Sequence, residues 1–284
     1  MDTVRRLKIR KTINEVNKLE VLNDYNEGVL TIAQIIEKYN ISQKSIYKIV
    51  KGNDKHFENK RRAKDFNVHW LDAIDSEEKA YFLGFIYADG SHRPERYSLH
   101  ITLHDEDEEI LKNFYELLDY KQPIKKYLNK QVQKYYAHFR VQSKYFSNRL
   151  TELGVFQNKA FKIKFPNWLN ENLYSHFIRG YIDGDGCIFA PDNISKSMVS
   201  ICGNYDFLSS VSKIIFEQTG VQLRLYPNNH SDVYILQSGG RVRVEKILNW
   251  LYNDSHIFLK RKYNKYQKIK KYNEINRPRR TSVA

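Results

Sequence analysis

The chain has 284 residues, 41% of them hydrophobic and 14% aromatic, enough to build a full core and too many for a disordered polypeptide. Lysine and arginine outnumber the acids 47 to 33, and the formal net charge of +14 points to a polyanionic partner. No apolar run approaches the roughly 20 residues that span a bilayer, and the N-terminus lacks the apolar stretch of a signal peptide, so the sequence predicts a soluble intracellular protein without membrane contact. Its setting is expected to be bacterial or phage-infected cytoplasm, with an organelle as the alternative. The two cysteines, Cys187 and Cys202, form no CxxC pair and are expected to be small buried residues. None of the nine histidines falls in an HExxH spacing.

Residues 1–16 are basic and weakly periodic, an arm or the start of a helix. KLEVLNDYNEG, TIAQIIEKYN and ISQKSIYKIVK then predict three helices: Gly28 ends the first, Thr31 caps the second, and Asn40 to Ser42 makes a short turn into the third. That spacing resembles a helix-turn-helix of the resolvase and invertase type. Ile32, Ile35, Ile36, Ile41, Ile46 and Ile49 would form its core, leaving Gln43, Lys44, Tyr47 and Lys48 to enter a major groove. The exposed face of this third helix carries lysines and no acids, which favours DNA over a protein partner. Residues 1–51 are read as this domain, and residues 52–69, with Lys60, Arg61, Arg62 and Lys64 clustered, as a basic linker.

Two stretches beyond the linker match each other, YFLGFIYADG and FIRGYIDGDG. Gly84, Asp89 and Gly90 recur at one constant offset as Gly180, Asp185 and Gly186, the mark of a supersecondary unit used twice. Each follows a run suited to a helix. On such helices Tyr81, Gly84, Phe85 and Ala88 share one face, and Phe177, Gly180, Tyr181 and Gly184 share the other. A glycine inside a helix costs about 1 kcal/mol against alanine, and close backbone contact between the two helices would compensate. A crossing at Gly84 and Gly180 would bring Asp89 and Asp185 together at two helix C-termini. Neighbouring carboxylates there repel each other and the helix dipoles, which favours a proton or a divalent cation between them.

The doubled motif resembles the LAGLIDADG homing endonuclease family in its single-chain form, over about residues 70–272. The resemblance implies an α+β fold, a pseudo-twofold pair of αββαββα halves (70–166 and 167–276) with antiparallel DNA-binding sheets, behind the small all-α N-terminal domain. It also implies that Asp89 and Asp185 are the metal-binding catalytic acids, holding Mg²⁺ or, in its place, Mn²⁺. Gly84, Ala88, Gly180 and Gly184 become the helix interface. Tyr87 stands where the family often has a first aspartate, which Asp183 retains in the second copy; this is not usually the catalytic position.

After Asp89, SLHITLH alternates as a half-buried strand, DEDEEILKNFYELLD reads as a helix, and IKKYLNK precedes the strand YYAHFRVQ. In that strand Tyr135, Ala137, Phe139 and Val141 are expected inward, and Tyr136, His138, Arg140 and Gln142 outward as a base-reading or phosphate-contacting face. A helix, KYFSNRLTELG, and the segment NKAFKIKFPNW close the first half. Beyond Asp185 the order recurs: ISKSMVSICG, the helix FLSSVSKIIFEQTG, the strands VQLRLY and DVYILQ with Arg224 and Gln237, and a helix from Arg243. Val141-Gln142-Ser143 and Leu236-Gln237-Ser238 lie at nearly equal distances from their motif acids, extending the repeat. LKRKYNKYQKIKKY carries seven cations and no acid, with Lys260 and Lys262 as phosphate contacts. Residues 277–284 are read as a tail.

The expected activity is metal-dependent hydrolysis of one phosphodiester on each strand of a long, asymmetric duplex site by a monomer, with Arg140 or Lys262 as the cation that offsets transition-state charge. An intron maturase binding structured RNA and a helix-turn-helix transcription regulator are the alternatives. Retention of both aspartates argues against a scaffold released from catalysis.

Overall fold

The computed structural model describes residues 16–53, 66–120, 122–157, 162–228 and 233–276. The expected arm before residue 16, the cluster at Lys60, Arg61, Arg62 and Lys64, and the tail from residue 277 lie outside the described residues.

Three helices open the described chain: α1 (Lys18–Glu27), α2 (Ile32–Tyr39) and α3 (Gln43–Asn53). Asn17 caps α1 through the amides of Leu19 and Glu20, and Gly28 ends it with φ at 75°. A capping box between Thr31 and Gln34 starts α2, and Asn40 turns out of it with φ at 51°. Ile35, Ile41, Ile46 and Ile49 enter a small core as expected, but α1 supplies Val21 and Tyr25, while Ile32 and Ile36 stay at its rim. Asp24 ties α1 to α2 by accepting from Lys38 Nζ and Tyr39 Oη, each at 2.7 Å.

The remainder is an α+β fold of two like halves. The first runs α4 (Glu77–Asp89), β1 (Ser91–Arg93), β2 (Ser98–His104), α5 (Glu108–Leu117), β3 (Lys125–Asn129), β4 (Lys134–Gln142) and α6 (Lys144–Glu152). The second runs α7 (Tyr174–Asp185), β5 (Gly186–Phe189), β6 (Met198–Gly203), α8 (Tyr205–Thr219), β7 (Arg224–Pro227), β8 (Tyr234–Gly239) and α9 (Arg241–Tyr252), followed by α10 (Lys260–Ile275). Each half has a four-stranded antiparallel sheet, ordered β1-β2-β4-β3 and β5-β6-β8-β7. One core, with α4 and α7 at its centre, serves both halves.

Helices α4 and α7 meet backbone to backbone. A Cβ on Gly84 would lie closer than 3.0 Å to the Phe177 carbonyl, and a Cβ on Gly180 closer than 3.0 Å to that of Tyr81. The contact is reciprocal and leaves no room for a methyl group on either side. Arg179, fully buried, clamps the far end: its guanidinium donates to Glu77 at 2.7 Å and to the carbonyls of Leu251 and Ile257 at 2.7 and 3.1 Å. Arg261 donates from Nε to both carboxylate oxygens of Asp107 at 3.1 and 2.9 Å, a further link between the halves.

The motif-ending glycines differ from the usual left-handed helix cap. Gly90 and Gly186 have φ at −69° and −96° and lead directly into β1 and β5. Glycine is needed because a Cβ would come within 2.6 Å of the Ile86 or Ile182 carbonyl one turn back.

Candidate active site and nucleic-acid interface

The crossing carries Asp89 and Asp185 to neighbouring helix ends. Asp89 is half-buried and Asp185 exposed. The Asp89 carboxylate overlies the last turn of the opposite helix, where a Cβ on Gly184 would stand 3.4 Å from Asp89 Oδ2 and overlap the Ala88 methyl. Both acids also act on one phenol: burial raises the Tyr181 pKa, and the charges of Asp185 and Asp89 add to the rise.

Asp183, two residues before the second acid, is buried among donors. It accepts from Tyr81 Oη at 2.8 Å, Tyr252 Oη at 2.9 Å and the Leu259 amide at 2.8 Å. Burial pushes its pKa up, and the Lys262 charge and these donors oppose the rise. Tyr87, at the matching place in α4, instead donates to the Leu153 carbonyl at 2.5 Å. Both side chains pin the loop that follows the last helix of their own half, one as acceptor and the other as donor.

Lys262 is not an outward phosphate contact. It is 2% exposed, and its ammonium donates to the carbonyls of Ile182, Asp183 and Gly186 at 2.6, 2.7 and 2.7 Å. Its place on α10 explains this, since Lys262, Tyr266, Ile269 and Asn273 form the inward stripe, and the carbonyl end of α7 attracts a cation. Burial lowers its pKa to about 8, against the favourable charges of Asp183 and Asp89. Lys260, at the start of the same helix, is exposed.

The outer faces of the sheets follow from register. Counted from Asp89, the first cross-strand row holds Ser91, His100 and Arg140, with Arg93, Ser98 and Gln142 to one side and Thr102, His138 and Lys125 to the other. His138 Nδ1 lies 2.9 Å from Thr102 Oγ1, and the His100 and His138 rings are 5.4 Å apart. Burial lowers the His100 pKa to about 4, with the Arg140 charge as the next cause, and lowers that of His138 as well. Ala137, Phe139 and Val141 face the core as expected, but Tyr135 is 53% exposed because it lies past the end of β2, paired only with Leu128 next to the β3–β4 turn.

On the second sheet the corresponding rows hold Cys187, Ser200, Gln237 and Arg224; Phe189, Met198 and Gly239; and Cys202, Ile235 and Tyr226. Both cysteines are free and exposed, which corrects the expectation of burial: strand alternation turns them outward. Gln237 accepts from Tyr226 Oη at 2.5 Å. Gln142 and Gln237, alike in spacing, stand in adjacent rather than equivalent rows. On the N-terminal unit, Gln43, Lys44 and Lys48 are exposed on α3 and Tyr47 is half-buried, its hydroxyl 3.2 Å from Gln43 Nε2.

Paired sheets around a glycine-faced helix crossing define a LAGLIDADG-type fold. A family model for the WhiA LAGLIDADG-like domain matches residues 9–66 and 174–276, more than half of the chain, and the protein belongs to that family. The match falls on the N-terminal region and the second half. Among solved structures, full-length DUF199/WhiA from Thermatoga maritima is 14% identical with a TM-score of 0.46, over 72% of this chain and 64% of that one. A double mutant of I-SmaMI is 15% identical, with a TM-score of 0.46 over 69% and 90% of the two chains. The I-LtrWI LAGLIDADG homing endonuclease bound to target DNA is 13% identical, with a TM-score of 0.46 over 74% and 91%. No curated protein matches the sequence. Among the described residues no helix is long and apolar enough to cross a membrane.

Proposed function

We propose that the chain is a site-specific, double-strand DNA endonuclease in which Asp89 and Asp185 are the metal-binding acids. The observation that carries this reading is the backbone contact at Gly84 and Gly180, which leads both acids to adjoining helix ends. Two carboxylates fit Mg²⁺, or Mn²⁺ in its place, because such ions take one or two protein carboxylates and complete their shell with phosphate and water. Among the described residues no group of three or more His, Cys, Asp or Glu residues forms a fuller cage. A bound ion would supply charge neutralisation at the scissile phosphate and an activated water.

The chain's own residues do the rest. The sheet faces, with His138, Arg140, Gln142, Arg224 and Gln237, contact base edges, and Lys260 contacts phosphate. Gln43, Lys44, Tyr47 and Lys48 on α3 act as a helix-turn-helix reading head that lengthens an asymmetric site bound by a monomer inside a cell. Arg140, exposed in the row that starts two residues past Asp89, is the cation best placed to offset transition-state charge.

A second reading, DNA binding without cleavage as in a helix-turn-helix regulator, is favoured by Lys262, whose ammonium is committed to carbonyls. Incubation with a randomised duplex library and Mg²⁺, followed by sequencing of cut ends, separates the two. Asp89→Asn and Asp185→Asn should each abolish double-strand cleavage while sparing binding. Full cleavage by either variant would overturn the site assignment, and a wild-type chain that binds duplex without cutting it would establish the second reading.

A further inference from the structure

The two sheet faces are equivalent in position and unlike in chemistry. The first offers three cations, Arg93, Arg140 and Lys125, together with the polar side chains of His100, His138 and Gln142. At the matching rows the second offers Cys187, Phe189, Met198, Cys202 and Ile235, with Ser200, Gln237, Tyr226 and Arg224 as its polar side chains and Arg224 as its one cation. Phe189 is 46% exposed, and it is cross-strand from Met198 on a face that points away from the core. Phe189 with Met198 and Cys202 with Ile235 form two cross-strand apolar pairs on either side of the Ser200–Gln237–Arg224 row, and apolar side chains turned outward in this way mark a contact surface.

In a major groove the pairs differ in what they present. Guanine shows two acceptors, which arginine and lysine read, whereas thymine shows a methyl group, which apolar side chains read. We infer that the two halves of the DNA target differ in composition: guanine-rich where the first sheet lies, and thymine-rich where Phe189, Met198, Cys202 and Ile235 lie. This rests on the proposal that the sheets bind duplex DNA. The occupant fits the basic surroundings. Arg224 lies in the row between the two apolar pairs, Arg243 donates to the Gly239 carbonyl in the Phe189–Met198 row at 2.9 Å, and the whole chain carries +14. A purely apolar partner would leave those charges without counterions.

The test uses the full chain and a randomised duplex library in EDTA, so that binding is read without cleavage. Sequencing of the bound fraction should give one guanine-rich and one thymine-rich half. Replacing each thymine of the second half by deoxyuridine removes only the methyl group and should weaken binding about fourfold per contacted base. In Ile235→Thr and Phe189→Ser chains that penalty should shrink, with the guanine-rich half still selected. In Arg140→Gln the reverse should hold, guanine preference falling while the uracil penalty persists. Failure to bind any duplex would overturn the proposed function together with this inference. Binding to a target whose halves have equal composition, or a uracil substitution that costs nothing, would overturn this inference alone.

Discussion

His100 shows how one residue can couple the folding of a surface to pH. Its folded pKa, about 4, lies below the ordinary 6.5, so between these values the unfolded chain holds a proton that the folded chain does not. Stability from this site is full above about 6.5 and falls as pH drops towards 4. A His100→Gln chain should therefore lose less melting temperature than wild type between pH 6.5 and pH 4.5, and NMR titration of the wild-type ring should show the low midpoint directly. Lys262 makes the complementary case of a side chain whose role is hidden in a basic run. Lys262→Met should destabilise the fold by about 1–3 kcal/mol by leaving buried carbonyls at the end of α7 without a donor. Urea denaturation measures this, and an unchanged midpoint would mean that the ammonium holds nothing. The sequence marked this lysine as one of seven cations, and only the inward stripe it shares with Tyr266 and Ile269 distinguishes it.

Among the elements, α4 and α7 were the most legible, because a repeated glycine on matching helical faces weakens both helices and is useful only where backbones approach closely. Gly84→Ala or Gly180→Ala should force the helices apart and lower stability by about 1–3 kcal/mol or more. Gly220→Ala is the control: that glycine has φ at 67° and nothing within 4 Å of the added methyl, so only the backbone preference is lost. Comparable melting temperatures for Gly84→Ala and Gly220→Ala would argue against the tight crossing. Strands β2 and β4 were legible from alternation over seven and nine residues, whereas β1 and β5, with three and four, are too short to show any period. The outward cysteines escaped notice for a related reason. Composition says that cysteine is usually buried, and only the register of β5 against β6 says that these two are not. Nearly equal spacing misled at Gln142 and Gln237, since the two hairpins pair one row out of step.

For the whole molecule, charge and modular cores organise the expectations. The three-helix unit has its own core, separate from the shared core of the two halves, so changes on its surface should leave the larger body folded. Replacing Lys44 and Lys48 by glutamate in the full chain should weaken DNA binding and lower the slope of log affinity against log salt by about two, one for each phosphate contact removed. A fluorescence anisotropy series in salt measures the slope, and an unchanged value would assign α3 to a protein partner instead.

The clamp at Glu77 and Arg179 also bears on the history open to this chain. Two copies of one half would lack this clamp, because the positions that match its two residues are not charged. The residue matching Arg179 in the first half is Leu83, and that matching Glu77 in the second is Leu173. Two second halves would bury a pair of guanidiniums with no acid to receive them, and a buried charge that has lost its partner costs about 3–5 kcal/mol. Two first halves would leave Glu77 without Arg179 and His256, both supplied by the second half. Each half supplies the charge that the other lacks at this clamp, so neither would pair with a copy of itself as well as it pairs with its partner.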